Sequence, residues 1–79
     1  MFTKINYEGP IQTQYHTLAT QLDALLTGES DQIANLSNAS ALLNSFLSDI
    51  NWVGFYIMKE GELVLGPFQG LPACVRIPV

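Results

Sequence analysis

The sequence has few positive charges. Of its 79 residues, only Lys4, Lys59 and Arg76 are basic, against seven Asp and Glu residues, and the formal net charge is -4. Binding to nucleic acid depends on clustered Lys and Arg that neutralise phosphates, and attraction to an anionic membrane surface depends on similar clusters. Three basic residues far apart in the chain argue against both, so we expect neither nucleic acid nor membrane as a partner.

Cysteine and long hydrophobic runs are also scarce. Cys74 is the only cysteine, so a disulfide within one chain is excluded. No run of about 18 or more apolar residues predicts a transmembrane helix. The N-terminus, "MFTKINYEGP", lacks the basic-then-apolar order of a secretory signal peptide. We therefore expect a soluble, cytoplasmic protein.

Charged residues of either sign are few for so short a chain. They make up 13% of the sequence, while apolar residues reach 48%; ordinary soluble domains have about 25% charged residues. A chain of this length buries only about 60% of its unfolded surface, so it should be more polar than average. We interpret the excess as apolar surface that is covered by further chain or by a partner, which indicates half a domain.

The first half of the sequence has the apolar spacing of helices. Residues 1–10 are expected to form an arm, and the spacing from Ile11 to Leu26 predicts a helix. Gly28 is expected to end this helix, because glycine accepts a left-handed backbone. Ser30 is the expected N-cap of a second helix, which ends near Asp49. Its apolar face comprises Ile33, Leu36, Ser40, Leu43 and Leu47, widened by Leu42 and Phe46.

From Trp52 onward the apolar period changes to two. A strand over residues 52–58, a turn over 59–62 and a strand over 63–68 predict a hairpin, with a bulge or an end of pairing at Gly66-Pro67. A third extended run is predicted over residues 74–79. Two helices followed by three antiparallel strands define an α+β fold over residues 1–79, with helices in 11–49 and strands in 51–79. The last strand is expected to leave an open sheet edge.

The first strand places two large aromatic residues around a glycine. Trp52, Gly54, Tyr56 and Met58 point to one side, while Val53, Phe55 and Ile57 point to the other. Trp52 and Tyr56 are about 13 Å apart along the strand, and a small ligand would fit the notch at Gly54, with the Trp N–H and Tyr O–H as polar groups. The alternative is that both rings pack beneath the helices and Gly54 relieves crowding.

Cys74 also has two interpretations. A lone cysteine in an apolar stretch is usually an inert small hydrophobic residue. A reactive thiol requires a nearby cation or helix N-terminus, and Arg76, two residues along a strand, would lie on the same face. His16 has no neighbours at metal-ligand spacing, so no metal site is predicted. Glu60 and Glu62 fall in a turn and are interpreted as solvated.

The run "INWVGFYIMKEGELVLGPFQGLPACVRIPV" resembles the free methionine-(R)-sulfoxide reductases, which are built on the GAF fold. Its most specific parts are "NWVGFY", "LVLGPFQG" and "PACVRIPV". The resemblance extends over the whole chain and implies an oxidoreductase for free methionine-(R)-sulfoxide that thioredoxin reduces, with no bound cofactor. It assigns Trp52 and Tyr56 to the aromatic wall of the substrate pocket, with Gly54 at the substrate's methyl end, and Cys74 to a redox position with a resolving role.

The chain departs from this family in ways that affect activity. Members continue past "RIPV" to a second and a third cysteine and to acidic substrate-binding residues, so this sequence corresponds to their N-terminal half. With one cysteine it cannot complete a disulfide within the chain, and we expect it to be inactive alone. A non-catalytic GAF ligand-binding module and a self-assembling fragment remain alternatives. The low charge and the unfinished sheet predict a homodimer, including one that exchanges elements.

Overall fold

The computed structural model describes residues 6–79, so the first half of the predicted arm lies outside the described residues. Its elements, in chain order, are α1 (Ile11–Leu26), α2 (Gln32–Phe46), β1 (Trp52–Lys59), β2 (Glu62–Gly70) and β3 (Arg76–Pro78). The three strands form one antiparallel sheet in the order β1-β2-β3. This architecture confirms the predicted α+β fold with two helices before three strands.

Helix α1 has the predicted bounds. It begins after Pro10, whose carbonyl oxygen accepts a hydrogen bond from the Gln14 amide at 3.1 Å. Thr27 is extended and Gly28 has a φ of 88°. Because this left-handed conformation is unfavourable for other residues, Gly28 ends the helix as expected.

Helix α2 differs from the prediction at both ends. Its N-cap is Asp31, not Ser30: the Asp31 carboxylate accepts a hydrogen bond from the Ala34 amide at 2.8 Å. Asp and Ser are about equally good N-caps, so the sequence did not distinguish the two neighbours. The helix ends at Phe46, before the predicted Asp49, which has a φ of 60° that a helix does not accommodate.

The predicted hairpin of β1 and β2 is confirmed, and both strands are longer than predicted. Glu60 and Gly61 form a two-residue turn with φ values of 50° and 85°. Two positive φ values in such a turn match the right-handed twist of the flanking strands. Lys59 therefore pairs directly with Glu62.

The predicted irregularity at Gly66-Pro67 is a bulge in the β1–β2 ladder. Gly54 pairs with Phe68, whereas Tyr56 pairs with Leu65. Two residues of β2 therefore lie opposite the single residue Phe55, as in a β-bulge. The bulge shifts the pairing of every residue between Trp52 and Gly54 by one position.

The third strand is shorter than predicted. It begins at Arg76 and not at Cys74, although the Leu65 amide still donates to the Val75 carbonyl at 2.8 Å. The Arg76 guanidinium lies 3.2 Å from the Glu62 carboxylate in an exposed ion pair. Cys74 thus lies in the irregular segment before β3, and the prediction that Cys74 and Arg76 share one face of a strand is wrong.

The core is small and centres on α2. Leu18, Ala39 and Leu42 are its buried apolar residues. Ser40 is fully buried, and its hydroxyl donates to the Pro67 carbonyl at 3.2 Å. This bond lies where α2 meets the bulge of β2, so the hairpin is held against the helix at that position. Within residues 6–79, no helix is both long and apolar enough to span a bilayer.

Candidate functional site

Three aromatic rings cluster on one face of the hairpin: Trp52, Tyr56 and Phe68, which we call the aromatic cluster. The Trp52 ring lies 6.1 Å from the Tyr56 ring at 26° and 5.5 Å from the Phe68 ring at 14°, between ring centroids. Both pairs are close to parallel, a favourable geometry for aromatic side chains. The cluster brings residues from both strands of the hairpin to one place.

The rings of Trp52 and Tyr56 lie much closer together than their spacing along the strand suggests. Side chains of a strand can lean along its direction, and here the two rings stack at 6.1 Å. The expected wide gap between two separate aromatic walls is therefore absent. Any ligand at this place contacts a continuous aromatic surface.

Gly54 makes room for Phe68. A Cβ atom added at Gly54 would lie 2.3 Å from the Phe68 Cβ and 2.9 Å from the Pro67 carbonyl oxygen. No side chain fits such distances, so the close approach of the two strands requires glycine here. This crowding relief is the structural alternative that the sequence left open, and the predicted ligand role of Gly54 stays a prediction.

The indole N–H of Trp52 is a buried donor. Its Nε1 atom is inaccessible to solvent and has no hydrogen-bond partner within the described part of the chain. Leaving such a donor unpaired costs roughly 1–3 kcal/mol. An acceptor that reaches this N–H once the side chains that cover it have moved would satisfy it, so Nε1 is a candidate ligand contact.

Tyr56 links the aromatic cluster to Cys74. Its hydroxyl donates to the Cys74 carbonyl oxygen at 2.8 Å, while the Cys74 residue is exposed and its thiol is free. The structure therefore brings together Trp52, Tyr56 and the backbone of Cys74. Arg76, the residue that the sequence suggested as a cation beside Cys74, is instead paired with the Glu62 carboxylate.

The remaining candidates lie elsewhere. His16 is exposed on α1, and residues 6–79 contain no group of three His, Cys, Asp or Glu that would hold a metal ion. Glu60 is exposed in the hairpin turn, and Glu62 is engaged with Arg76. Neither glutamate faces the other as an acid/base pair would.

Sequence reasoning missed Phe68 as part of this site. Counting back from the two-residue turn, uninterrupted pairing would place Pro67 opposite Gly54, whereas the bulge places Phe68 there. The signal was present in the sequence as a glycine in β1 and a Gly-Pro pair in β2. These residues indicate a bulge but do not show which of the two strands contains the extra residue. The residue that lies opposite Gly54 depends on that strand.

Comparison with known proteins connects this geometry to a family. The chain is 55% identical over 65 residues, which are 82% of its length, to free methionine-R-sulfoxide reductase of Escherichia coli. It superposes with a TM-score of 0.88 and 36% identity on the free methionine-R-sulfoxide reductase of Neisseria meningitidis in complex with its substrate, covering 99% of this chain and 47% of that one.

A proposed GAF sensor protein from Burkholderia vietnamiensis is also similar. It matches with a TM-score of 0.84 and 50% identity, covering 89% of this chain and 44% of that one. No protein-family model matches the chain. The chain spans about half the length, or less, of the curated relatives it matches.

The fold is therefore that of part of a GAF domain, with an aromatic cluster on the hairpin of its sheet. Within that class, the chain is homologous to the free methionine-R-sulfoxide reductases over about half of their length. The resemblance inferred from "NWVGFY", "LVLGPFQG" and "PACVRIPV" is thereby confirmed.

Proposed function

We propose that the chain forms the part of a GAF domain that recognises free methionine-(R)-sulfoxide for thioredoxin-dependent reduction. Residues 1–79 then belong to a single GAF domain, in which Trp52 and Tyr56 bind the substrate beside Gly54. Cys74 acts as a redox cysteine with a resolving role. The observation that carries this proposal is the aromatic cluster, linked through Tyr56 to the backbone of Cys74, with an indole N–H that has no partner among residues 6–79.

The chemistry of the cluster suits this substrate. The rings of Trp52 and Phe68 offer an apolar surface for the methyl and methylene groups of methionine sulfoxide. The sulfoxide oxygen is a strong hydrogen-bond acceptor, and Nε1 of Trp52 is a buried donor without a partner among the described residues. One small molecule with an apolar chain and one polar oxygen satisfies both parts of the site.

The proposed reaction consumes two thiols for each sulfoxide. A thiolate attacks the sulfoxide sulfur, methionine leaves, and the oxygen remains on the attacking cysteine as a sulfenic acid. A second thiol condenses with the sulfenic acid to give a disulfide and water, and the thioredoxin dithiol reduces that disulfide by exchange. Cys74 supplies one thiol, and the chain has no other cysteine. One chain alone therefore cannot complete the cycle and is expected to show no turnover.

A non-catalytic GAF ligand-binding module is the second candidate. It is favoured by the similarity to the proposed GAF sensor protein. In such a module, Cys74→Ser leaves both ligand binding and the regulatory response to the ligand unchanged. In the reductase, the same change removes the resolving thiol and stops disulfide formation.

The proposal is tested by titrating the isotope-labelled chain with free methionine-(R)-sulfoxide and following its NMR spectrum. The indole N–H signal of Trp52 and the ring signals of Tyr56 are expected to shift, and less with the (S) epimer. Trp52→Phe keeps an aromatic ring but removes the donor, so affinity is expected to fall about fivefold to tenfold, the effect of one hydrogen bond.

Two outcomes of this experiment would contradict the proposal. One is an indole signal that does not respond to the sulfoxide, and the other is an equal response to both epimers. A parallel thioredoxin-coupled assay, with the Escherichia coli relative as positive control, is expected to show no turnover by this chain alone. Turnover by the chain would contradict the requirement for a second thiol.

The proposed assembly is a cytoplasmic homodimer. Large apolar side chains of the described residues remain exposed at the end of the sheet, with Leu71 78%, Val75 61% and Val79 82% accessible. Exposed apolar side chains favour association, and pairing or exchange of elements across a two-fold axis would cover them. Light scattering is expected to give the mass of a dimer. A monomer at all concentrations would reject this assembly.

A further inference from the structure

We propose that Tyr56 is a positioning residue for Cys74 as well as a wall of the aromatic cluster. Its hydroxyl holds residues 71–75, the Cys74 segment, against the sheet. The binding of a ligand at the cluster is thereby coupled to the placement of the thiol. This inference rests on the proposed function, because it concerns how the recognition site and the redox residue communicate.

The Cys74 segment has few attachments to the sheet. It follows β2, contains no helix or strand, and most of its residues are exposed, Cys74 included. Within the described residues, two hydrogen bonds tie it to the hairpin. One runs from the Leu65 amide to the Val75 carbonyl, and the other from the Tyr56 hydroxyl to the Cys74 carbonyl. Only the second is made by a side chain of the aromatic cluster.

The same side chain faces the proposed ligand contact. The Tyr56 ring stacks on the Trp52 ring, whose N–H is buried and has no partner in the described structure. A ligand that accepts this N–H lies next to the Tyr56 ring and alters its freedom to move. Because the hydroxyl at the far end of that ring holds the Cys74 carbonyl, a change at the cluster is transmitted to the Cys74 segment over one side chain.

Tyr56→Phe separates the two roles of this residue, because it keeps the ring and removes the hydroxyl. Exchange of the Leu65 amide, which donates to the Val75 carbonyl, is expected to accelerate about twofold to tenfold, the range for loss of one hydrogen bond. The matched control is Tyr15→Phe, which removes a hydroxyl from a half-exposed tyrosine of α1. It is expected to leave exchange of the Leu65 amide unchanged.

The reactivity of Cys74 gives a second readout, with 5,5′-dithiobis(2-nitrobenzoate) as probe. The Cys74 thiolate attacks one sulfur of the probe's disulfide, a mixed disulfide forms, and the coloured thionitrobenzoate leaves. The rate is expected to rise about twofold or more in Tyr56→Phe, because the released segment presents its sulfur more freely. The rate in Tyr15→Phe is expected to equal that of the unmodified chain.

The coupling itself is tested by adding free methionine-(R)-sulfoxide. In the unmodified chain, the Cys74 amide signal is expected to shift together with the Trp52 indole signal. In Tyr56→Phe, only the indole signal is expected to shift, a difference that a merely stabilising hydroxyl would not produce. If neither variant binds the sulfoxide, the proposed function fails, while the exchange and thiol rates still decide whether Tyr56 holds the segment.

The proposal is overturned if Tyr56→Phe leaves both the exchange of the Leu65 amide and the thiol rate unchanged. If the variant does not fold, cross-relaxation between the Tyr56 ring protons and the protons of Cys74 and Val75 decides the matter in the unmodified chain. Weak to medium cross-peaks are expected, because the 2.8 Å distance joins the Tyr56 hydroxyl oxygen to the Cys74 carbonyl oxygen and the protons lie farther apart. Their absence would equally overturn the proposal.

Discussion

Replacing Gly54 with alanine is expected to lower the free energy of unfolding by about 3 kcal/mol or more, at the upper end of overpacking effects. The new Cβ would lie 2.3 Å from the Phe68 Cβ, 2.8 Å from the Phe68 Cα and 2.9 Å from the Pro67 carbonyl oxygen. Two of these three atoms belong to the backbone, so no side-chain rotation relieves the contact. β1 and β2 would have to separate where Gly54 pairs with Phe68, toward the open end of the hairpin.

Denaturant unfolding of Gly54→Ala measures this effect, and Gly28→Ala is the matched control. Gly28 has no atom within 4 Å of the added Cβ but has a φ of 88°. Its replacement is therefore expected to cost only the left-handed backbone strain, about 1–2 kcal/mol. The two variants thus distinguish the loss of stability caused by a steric clash, at Gly54, from the loss caused by left-handed backbone strain, at Gly28.

A second substitution sharpens the test at Gly54. Phe68→Ala keeps the Cβ that clashes, so Gly54→Ala should remain destabilising in that background. Phe68→Gly removes this Cβ and should recover part of the loss, giving a coupling of about 1 kcal/mol or more. A Gly54→Ala chain as stable as the unmodified one would show that the strands do not approach as closely as described.

Truncation of Leu42 to alanine is expected to have the second large effect, lowering the free energy of unfolding by about 2–5 kcal/mol. Leu42 is 5% exposed and is one of three buried apolar residues among those described. A core this small has few neighbours that can move into the vacated space. Most of the cost of the cavity should therefore appear in the measured stability.

Ile33→Ala provides the comparison within the same helix. The side chain of Ile33 is 53% exposed, although the sequence placed it on the apolar face of α2. Its truncation is expected to cost less than about 1 kcal/mol, as surface substitutions usually do. Equal effects at Leu42 and Ile33 would mean that a partner covers Ile33 in solution, which light scattering of the two variants would show.

The order of elements was predictable because local signals agreed with each other. Helix α1 has three-to-four spacing and a glycine stop, and the hairpin has period-two spacing around a polar turn. The N-cap of α2 was not predictable at one-residue resolution, since Ser30 and Asp31 are neighbours with similar capping ability. α2 ends early because Leu47 already has an extended backbone, which the sequence does not specify.

The candidate site was predictable in part. Spacing placed Trp52, Gly54 and Tyr56 on one face, and the structure keeps the two rings together. The ring separation depends on side-chain rotamers, and the position of Phe68 depends on the register after the bulge. The contact between Tyr56 and Cys74 joins residues 18 positions apart. Neither periodicity nor spacing carries information about such a contact.

The two-residue turn at Glu60 and Gly61 has a kinetic consequence. All three members of the aromatic cluster lie in β1 and β2, so they come together as soon as this hairpin closes. Such a short connection carries a small loop-closure entropy, and hairpins form within about 1–10 microseconds. The aromatic cluster can therefore assemble before the helices dock. Substitutions in the helices should therefore slow the step in which the helices dock on the hairpin and stabilise the cluster. They should not alter the pairing of β1 with β2.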